Sequence, residues 1–103
     1  MKAAVVNLIK TAANELGERG ITVNGICPTS VVGTEGNKDM NDNEVRLISA
    51  LTPLGRLEEM SDYVAAYHLL ASDAGKFINA QDIVVDGGLS AGLTDRALEK
   101  LQA

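Results

Sequence analysis

Ile21-Thr22-Val23-Asn24-Gly25-Ile26-Cys27-Pro28 is the stretch that decides the fold. Ile21, Val23 and Ile26 are β-branched, and apolar residues fall on both faces. That pattern suits a strand covered on both sides, as in a parallel sheet. Pro28 ends it, because proline has no amide hydrogen to give to a ladder. Upstream, Val5, Leu8, Ile9, Ala12, Ala13 and Leu16 recur at spacings of three and four, predicting a helix over 2–16. Gly17 is expected to stop it in a left-handed cap, and Gly20 to release the chain into the strand.

Downstream, Thr29, Ser30, Gly33, Thr34, Gly36, Asn37 and Asp39 signal loop. A short helix is expected over 43–51, with Val45, Ile48 and Leu51 on one side, then a turn at Pro53-Leu54-Gly55-Arg56. A second long helix is expected over 61–71. Ser61 or an adjacent acid would cap it, and Ala65 and Leu69 would form its stripe beside Val64, His68 and Ala71. Asp73-Ala74-Gly75 stops it. Ile83-Val84-Val85 reads as the second strand, ended by Gly87-Gly88, and a weak helix is expected around 95–101. Two strands joined through a helix imply a parallel pair with a right-handed crossover. Two strands alone leave backbone groups unpaired at both edges, which predicts association or exposed edge.

The 103 residues amount to one domain or part of one. A formal charge of -5 disfavours nucleic acid or an anionic membrane as partner, since no basic patch exists to release counterions. No apolar run is long enough for a bilayer, and the first residues lack the layout of a signal peptide, so the expectation is cytoplasmic. Cys27 stands alone, which precludes an internal disulfide or a cysteine-rich zinc site. No metal site is expected.

These pieces, in this order, resemble the C-terminal half of a short-chain dehydrogenase/reductase. Such enzymes move a hydride between NAD(P) and an alcohol or carbonyl. The resemblance runs from Lys2 to about Gly92. Lys2-Ala3-Ala4-Val5 is similar to the end of the family's Tyr-x-x-x-Lys motif, which implies that Lys2 is the catalytic lysine. Its implied role is to hold the nicotinamide ribose and lower the tyrosine's pKa. The tyrosine would lie four residues before Lys2. The catalytic serine and the Gly-rich phosphate loop would lie further upstream, and no Gly-x-Gly-x-x-Gly occurs in the sequence. Asn24 to Pro28 is similar to the family's Asn-x-x-x-Pro-Gly, with Thr29 in place of the glycine. The resemblance implies that Pro28, Thr29 and Val31 run beside the nicotinamide. It also implies a contact from Thr34, which stands one place later than the family's threonine. Residues 35–51 resemble the substrate lid. Pro53-Leu54-Gly55-Arg56 is similar to the turn before the family's next helix. Asn79-Ala80-Gln81 followed by Val85-Asp86-Gly87-Gly88 resembles Thr-Gly-Gln…Val-Asp-Gly-Gly, departing at Asn79 and Ala80.

The implied fold is α/β. It is the C-terminal half of a Rossmann-like doubly wound parallel sheet, in the order helix–strand–lid–helix–strand, with 1–103 as one partial NAD(P)-binding domain. The implied cofactor is NAD or NADP, not bound by the isolated chain because the pyrophosphate cradle is absent. The implied activity is oxidoreduction of an alcohol or ketone, with the isolated chain inactive. Its partner would be an N-terminal half, or the chain itself as a homo-oligomer. The alternatives are a non-catalytic oligomerisation or complementation module, or a truncated gene product. Tyr63 and Tyr67, four apart, read as packing rather than as substitutes for the absent tyrosine. His68 reads as a packed histidine. Asp39, Asp42 and Glu44 read as a solvated acidic loop, with a weak cation site as the sharper alternative.

Overall fold

The computed structural model describes residues 2–28, 39–92 and 94–102, with Lys2 described through its backbone alone. Six regular elements follow one another: α1 (Lys2–Leu16), β1 (Gly25–Pro28), α2 (Asp42–Leu51), α3 (Val64–Ala71), β2 (Asp82–Val85) and α4 (Asp95–Gln102). They fall into two compact units, Met1–Cys27 with Tyr63–Val84, and Pro28–Asp62 with Val85–Ala103.

In the first unit β1 and β2 form a two-stranded parallel sheet. The strand expected over 21–27 is shorter than its β-branched run, because the ladder begins only at Gly25. Side chains take over the preceding backbone groups. Val23 N donates to Asn79 Oδ1 at 2.9 Å, and Ala80 N donates to Val23 O at 3.0 Å. Asn24 Nδ2 donates to Ile78 O and its Oδ1 accepts from Gln81 N, both at 3.0 Å. Ladder pairing then starts with Gly25 N donating to Gln81 O at 2.8 Å. The two asparagines therefore clamp the entrance to the sheet from opposite strands.

The first helix ends where the periodicity predicts, but Gly17 is not its left-handed stop. Gly17–Arg19 continues as a 3-10 turn, and Gly20 (φ 77°) takes the left-handed position, donating to Gly17 O at 2.9 Å. The apolar stripe of α1 divides. Ala13 is buried and Ile9, Ala12 and Leu16 are half-buried, with Ile9 Cδ1 close over Gly25, whereas Val5 and Leu8 are exposed. A stripe of six apolar residues is broader than one face of a two-stranded sheet covers.

Helix α3 also departs from expectation. Met60–Tyr63 is a separate 3-10 turn, α3 starts at Val64, and its preceding residue Tyr63 makes no side-chain cap bond, so Ser61 is not the cap. Ala66 and Leu70 are the half-buried positions, while Ala65 and Leu69 are exposed. Val-Ala-Ala-Tyr-His-Leu-Leu-Ala is apolar nearly all round, so its period does not choose a face. Tyr63 and Tyr67 stack as a tilted pair, ring centroids 5.8 Å apart.

In the second unit α2 packs against α4, burying Ala50 and Ala97. Asn41 caps α2 in a reciprocal box. Its Oδ1 accepts from Glu44 N at 2.9 Å, and Glu44 Oε2 accepts from Asn41 N at 3.3 Å. Of the acids expected in a solvated loop, Asp42 and Glu44 thus serve a helix start, where the dipole favours them. Thr94 does the same for α4, its Oγ1 accepting from Ala97 N at 3.3 Å. No helix among the described residues is long and apolar enough to cross a membrane.

Ala80 has φ 58°, the single non-glycine residue in the left-handed region among those described. A Cβ there costs roughly 1–2 kcal/mol, against which glycine's extra chain freedom subtracts. Ala80→Gly is expected to stabilise the chain by about 0.5–1 kcal/mol, read as a higher urea midpoint. An unchanged or lower midpoint would contradict the strain.

Candidate functional site

Two of the five residues expected to serve catalysis or cofactor fall within the description. Lys2 is the first residue of α1, in the first unit, and Pro28 is the exposed last residue of β1, in the second. Thr29, Val31 and Thr34 lie outside the described residues, as does the first part of the expected lid. The rest of that lid, from Asp42, is α2. Pro28 therefore stands at the carboxyl end of a parallel strand, which is where open α/β sheets bind their ligands.

Asn24 sits four residues before the proline and spends its whole side-chain amide on residues 78 and 81. Asn24 thus anchors the strand. Sequence reasoning identified the motif but not this job, because the partners lie more than fifty residues downstream.

Two other motifs, more than thirty residues apart, meet in the second unit. Leu54 N donates to Gly87 O at 3.2 Å. Gly87 and Gly88 are both left-handed (φ 64° and 92°). A Cβ on Gly87 would stand 2.9 Å from Thr52 Cγ2, and one on Gly88 would stand 2.9 Å from Pro53 Cγ. The Gly-Gly pair is thus required twice over, by its torsions and by the Thr52-Pro53-Leu54 segment seated on it. Asp86 ties the turn off. Its Oδ1 accepts from Gly88 N at 2.9 Å and its Oδ2 from Ser90 N at 3.0 Å. Hydrogen bonding to Ser90, with that of the Gly88 amide, holds its carboxyl below the usual range.

Arg56, the last residue of the turn motif, grips Asp62 in a fork, Nη1 to Oδ2 and Nη2 to Oδ1, both at 2.7 Å. Nη1 also donates to Leu57 O at 3.0 Å, and Asp62 Oδ2 accepts from Glu59 N at 2.7 Å. The Arg56 hydrogen bonds, followed by that of the Glu59 amide, bring the Asp62 carboxyl down to about 2. Beside this pair, Thr52, Leu57, Glu58 and Val85 line a cavity of about 130 Å³. That is small against the roughly 300–1,000 Å³ of ordinary ligand pockets. Among the described residues no three of His, Cys, Asp or Glu come together as a metal would need.

The residues present fit one end of a dinucleotide. The carboxyl end of β1 suits the nicotinamide, whereas the sequence has no glycine-rich turn to receive the pyrophosphate.

Comparison with known proteins settles the class. A family model described as enoyl-(acyl carrier protein) reductase matches residues 1–90. The chain belongs to the short-chain dehydrogenase/reductase family, and its fold is that family's Rossmann-type α/β. It is 41% identical over 88 residues to a 3-oxoacyl-(acyl-carrier-protein) reductase of Staphylococcus epidermidis, covering 85% of this chain and 36% of that protein. It is 40% identical over 87 residues to a D-threitol dehydrogenase of Mycolicibacterium smegmatis, covering 84% and 34%. Among solved structures, a gluconate 5-dehydrogenase from Burkholderia cenocepacia, in complex with NADP and tartrate, superposes with a TM-score of 0.84. It is 32% identical, covering 89% of this chain and 36% of that one. The chain therefore spans about a third of the length of the relatives it matches.

Two outcomes test this geometry. Gly88→Ala is expected to lower stability by at least about 1–2 kcal/mol in a denaturant titration, from the left-handed torsion alone. The second concerns pH. Asp62 has a folded pKa below its ordinary 3.8, so its contribution is complete above that value and is lost as pH falls towards about 2. Following the carboxyl by NMR should show Asp62 titrating near 2, and moving up towards the ordinary range in Arg56→Ala. An ordinary carboxylate titration in the unaltered chain would contradict the fork.

Proposed function

We propose that these residues form the C-terminal part of an NAD(P)-dependent oxidoreductase acting on an alcohol or a ketone. The carrying observation is the strand that ends at Pro28 with Asn24 anchored behind it. It supports reading the carboxyl end of a parallel strand as one lip of a nicotinamide site. NAD(P), when bound, carries the hydride. This chain's residues position it. Pro28, Thr29 and Val31 pass beside the nicotinamide, and Thr34 contributes from the following loop. Lys2 supplies a positive charge that steadies the ribose and favours the ionised form of a tyrosine one helical turn before it. Residues 35–51 cover the substrate. The pyrophosphate is held by residues outside this sequence, so the chain alone neither binds NAD(P) nor turns it over. A cytoplasmic location accompanies this reading.

The experiment is complementation. The chain is co-expressed with the preceding part of the Staphylococcus epidermidis reductase, and NAD(P)H consumption is followed with ketone substrates. The pair is expected to turn over where neither part does. Lys2→Ala should lower turnover by at least about 100-fold, the usual contribution of a group assisting proton transfer. An assembled pair that stays inactive, while the relative's own two parts are active together, would contradict the reading.

A second reading, a non-catalytic association module, is favoured by the exposed apolar side chains: Leu8 is 67% exposed, Leu54 72% and Phe77 99%. Complementation distinguishes the two readings, and light scattering on the purified chain tests the association. Association with itself is expected in both readings, and only the first also gives activity on complementation. A monomer at high concentration would count against the module.

A further inference from the structure

The clamp that anchors β1 contains a reactive pair. Asn24 is followed by Gly25, and no Cβ on the glycine hinders its amide nitrogen. In such a pair the glycine nitrogen can attack the asparagine Cγ. The N–Cγ bond forms, the Cγ–Nδ2 bond breaks, and Nδ2 leaves as ammonia with the proton given up by the glycine amide. Water then opens the resulting ring, giving aspartate or isoaspartate. No oxidant or reductant is involved.

Every atom this step needs is engaged in the folded chain. Nδ2 donates to Ile78 O at 3.0 Å, Oδ1 accepts from Gln81 N at 3.0 Å, and Gly25 N donates to Gln81 O at 2.8 Å. On the other side Val23 N is held by Asn79 Oδ1 at 2.9 Å. Turning Cγ towards Gly25 N requires the bonds of Asn24 and Gly25 to residues 78 and 81 to open. We propose that Asn24 is a deamidation site gated by opening of the clamp between residues 23–25 and 78–81, and that its product cannot close the clamp again. In aspartate the atom replacing Nδ2 is an acceptor set against the Ile78 carbonyl. In isoaspartate an extra backbone methylene moves Gly25 N out of register with Gln81 O. Each opening that reacts thus turns a reversible fluctuation into permanent loss of the strand entrance.

The test compares the whole chain folded and in urea, at one mildly alkaline pH. Conversion at Asn24 is followed by mass spectrometry of its peptide. The folded chain is expected to react at least about tenfold more slowly, since closed segments must open first. The converted fraction, returned to buffer, should melt lower than the unconverted one. Asn79→Ala should speed the folded reaction by at least about threefold and leave the urea rate unchanged, because residue 79 is remote in the unfolded chain. Should that variant not fold, its rate in buffer will match its rate in urea, and the unaltered chain still decides. Equal rates in buffer and urea, no conversion in urea, or an unchanged melting profile after conversion would each overturn the proposal.

Discussion

Two parallel strands of four residues are too little to hold themselves together by ladder bonds. What the first unit depends on is the amide clamp formed by Asn24 and Asn79. Each side chain completes the backbone of the opposite strand, and each such hydrogen bond contributes about 0.5–1.5 kcal/mol net. Loss of one partner costs more than that at residues 23 and 78, whose half-buried backbone groups would be left without partners. The clamp also determines where β1 begins. A site at a strand's carboxyl end is only as well positioned as the strand's entrance is fixed.

The second unit obeys a different constraint, steric rather than polar. Gly87 and Gly88 leave room for Thr52, Pro53 and Leu54, and Asp86 locks the turn that carries them. Arg56 then turns the chain towards Asp62, which also accepts from Glu59 N. Motifs that look like separate family signatures are therefore halves of single contacts. The Pro-Leu-Gly-Arg turn has its meaning in the Asp-Gly-Gly turn, and Asn24 has its meaning in the segment 78–81. The family likeness accordingly extends across the chain, over residues 1–90.

Local signals carried most of the fold. The three-and-four spacing in residues 5–16 placed α1, and the β-branched run at 83–85 placed β2 within a residue. The capping box at Asn41 and Glu44 was equally local and readable, since Asn-x-x-Glu precedes an apolar run. Sequence reasoning passed it over by grouping the acids as a loop. Two features were not legible. Helix α3 is apolar on nearly every side, so only its neighbours decide that Ala66 and Leu70 turn inward. The shortening of β1 depends on Asn79, whose partner Val23 lies 56 residues away. For the candidate site, Lys2 begins α1 and Pro28 ends β1. The roles of Asn24 and Arg56 emerged only when their distant partners were in place.

The central claim is that these residues are the C-terminal part of a hydride-transferring enzyme whose tyrosine precedes Lys2 by one helical turn. The most direct measurement is the DNA sequence immediately upstream of the Met1 codon. The account predicts an open frame that places tyrosine four residues before Lys2, with a glycine-rich turn further upstream. A stop codon in that frame, or an unrelated sequence, would contradict it and leave association as the function of the chain.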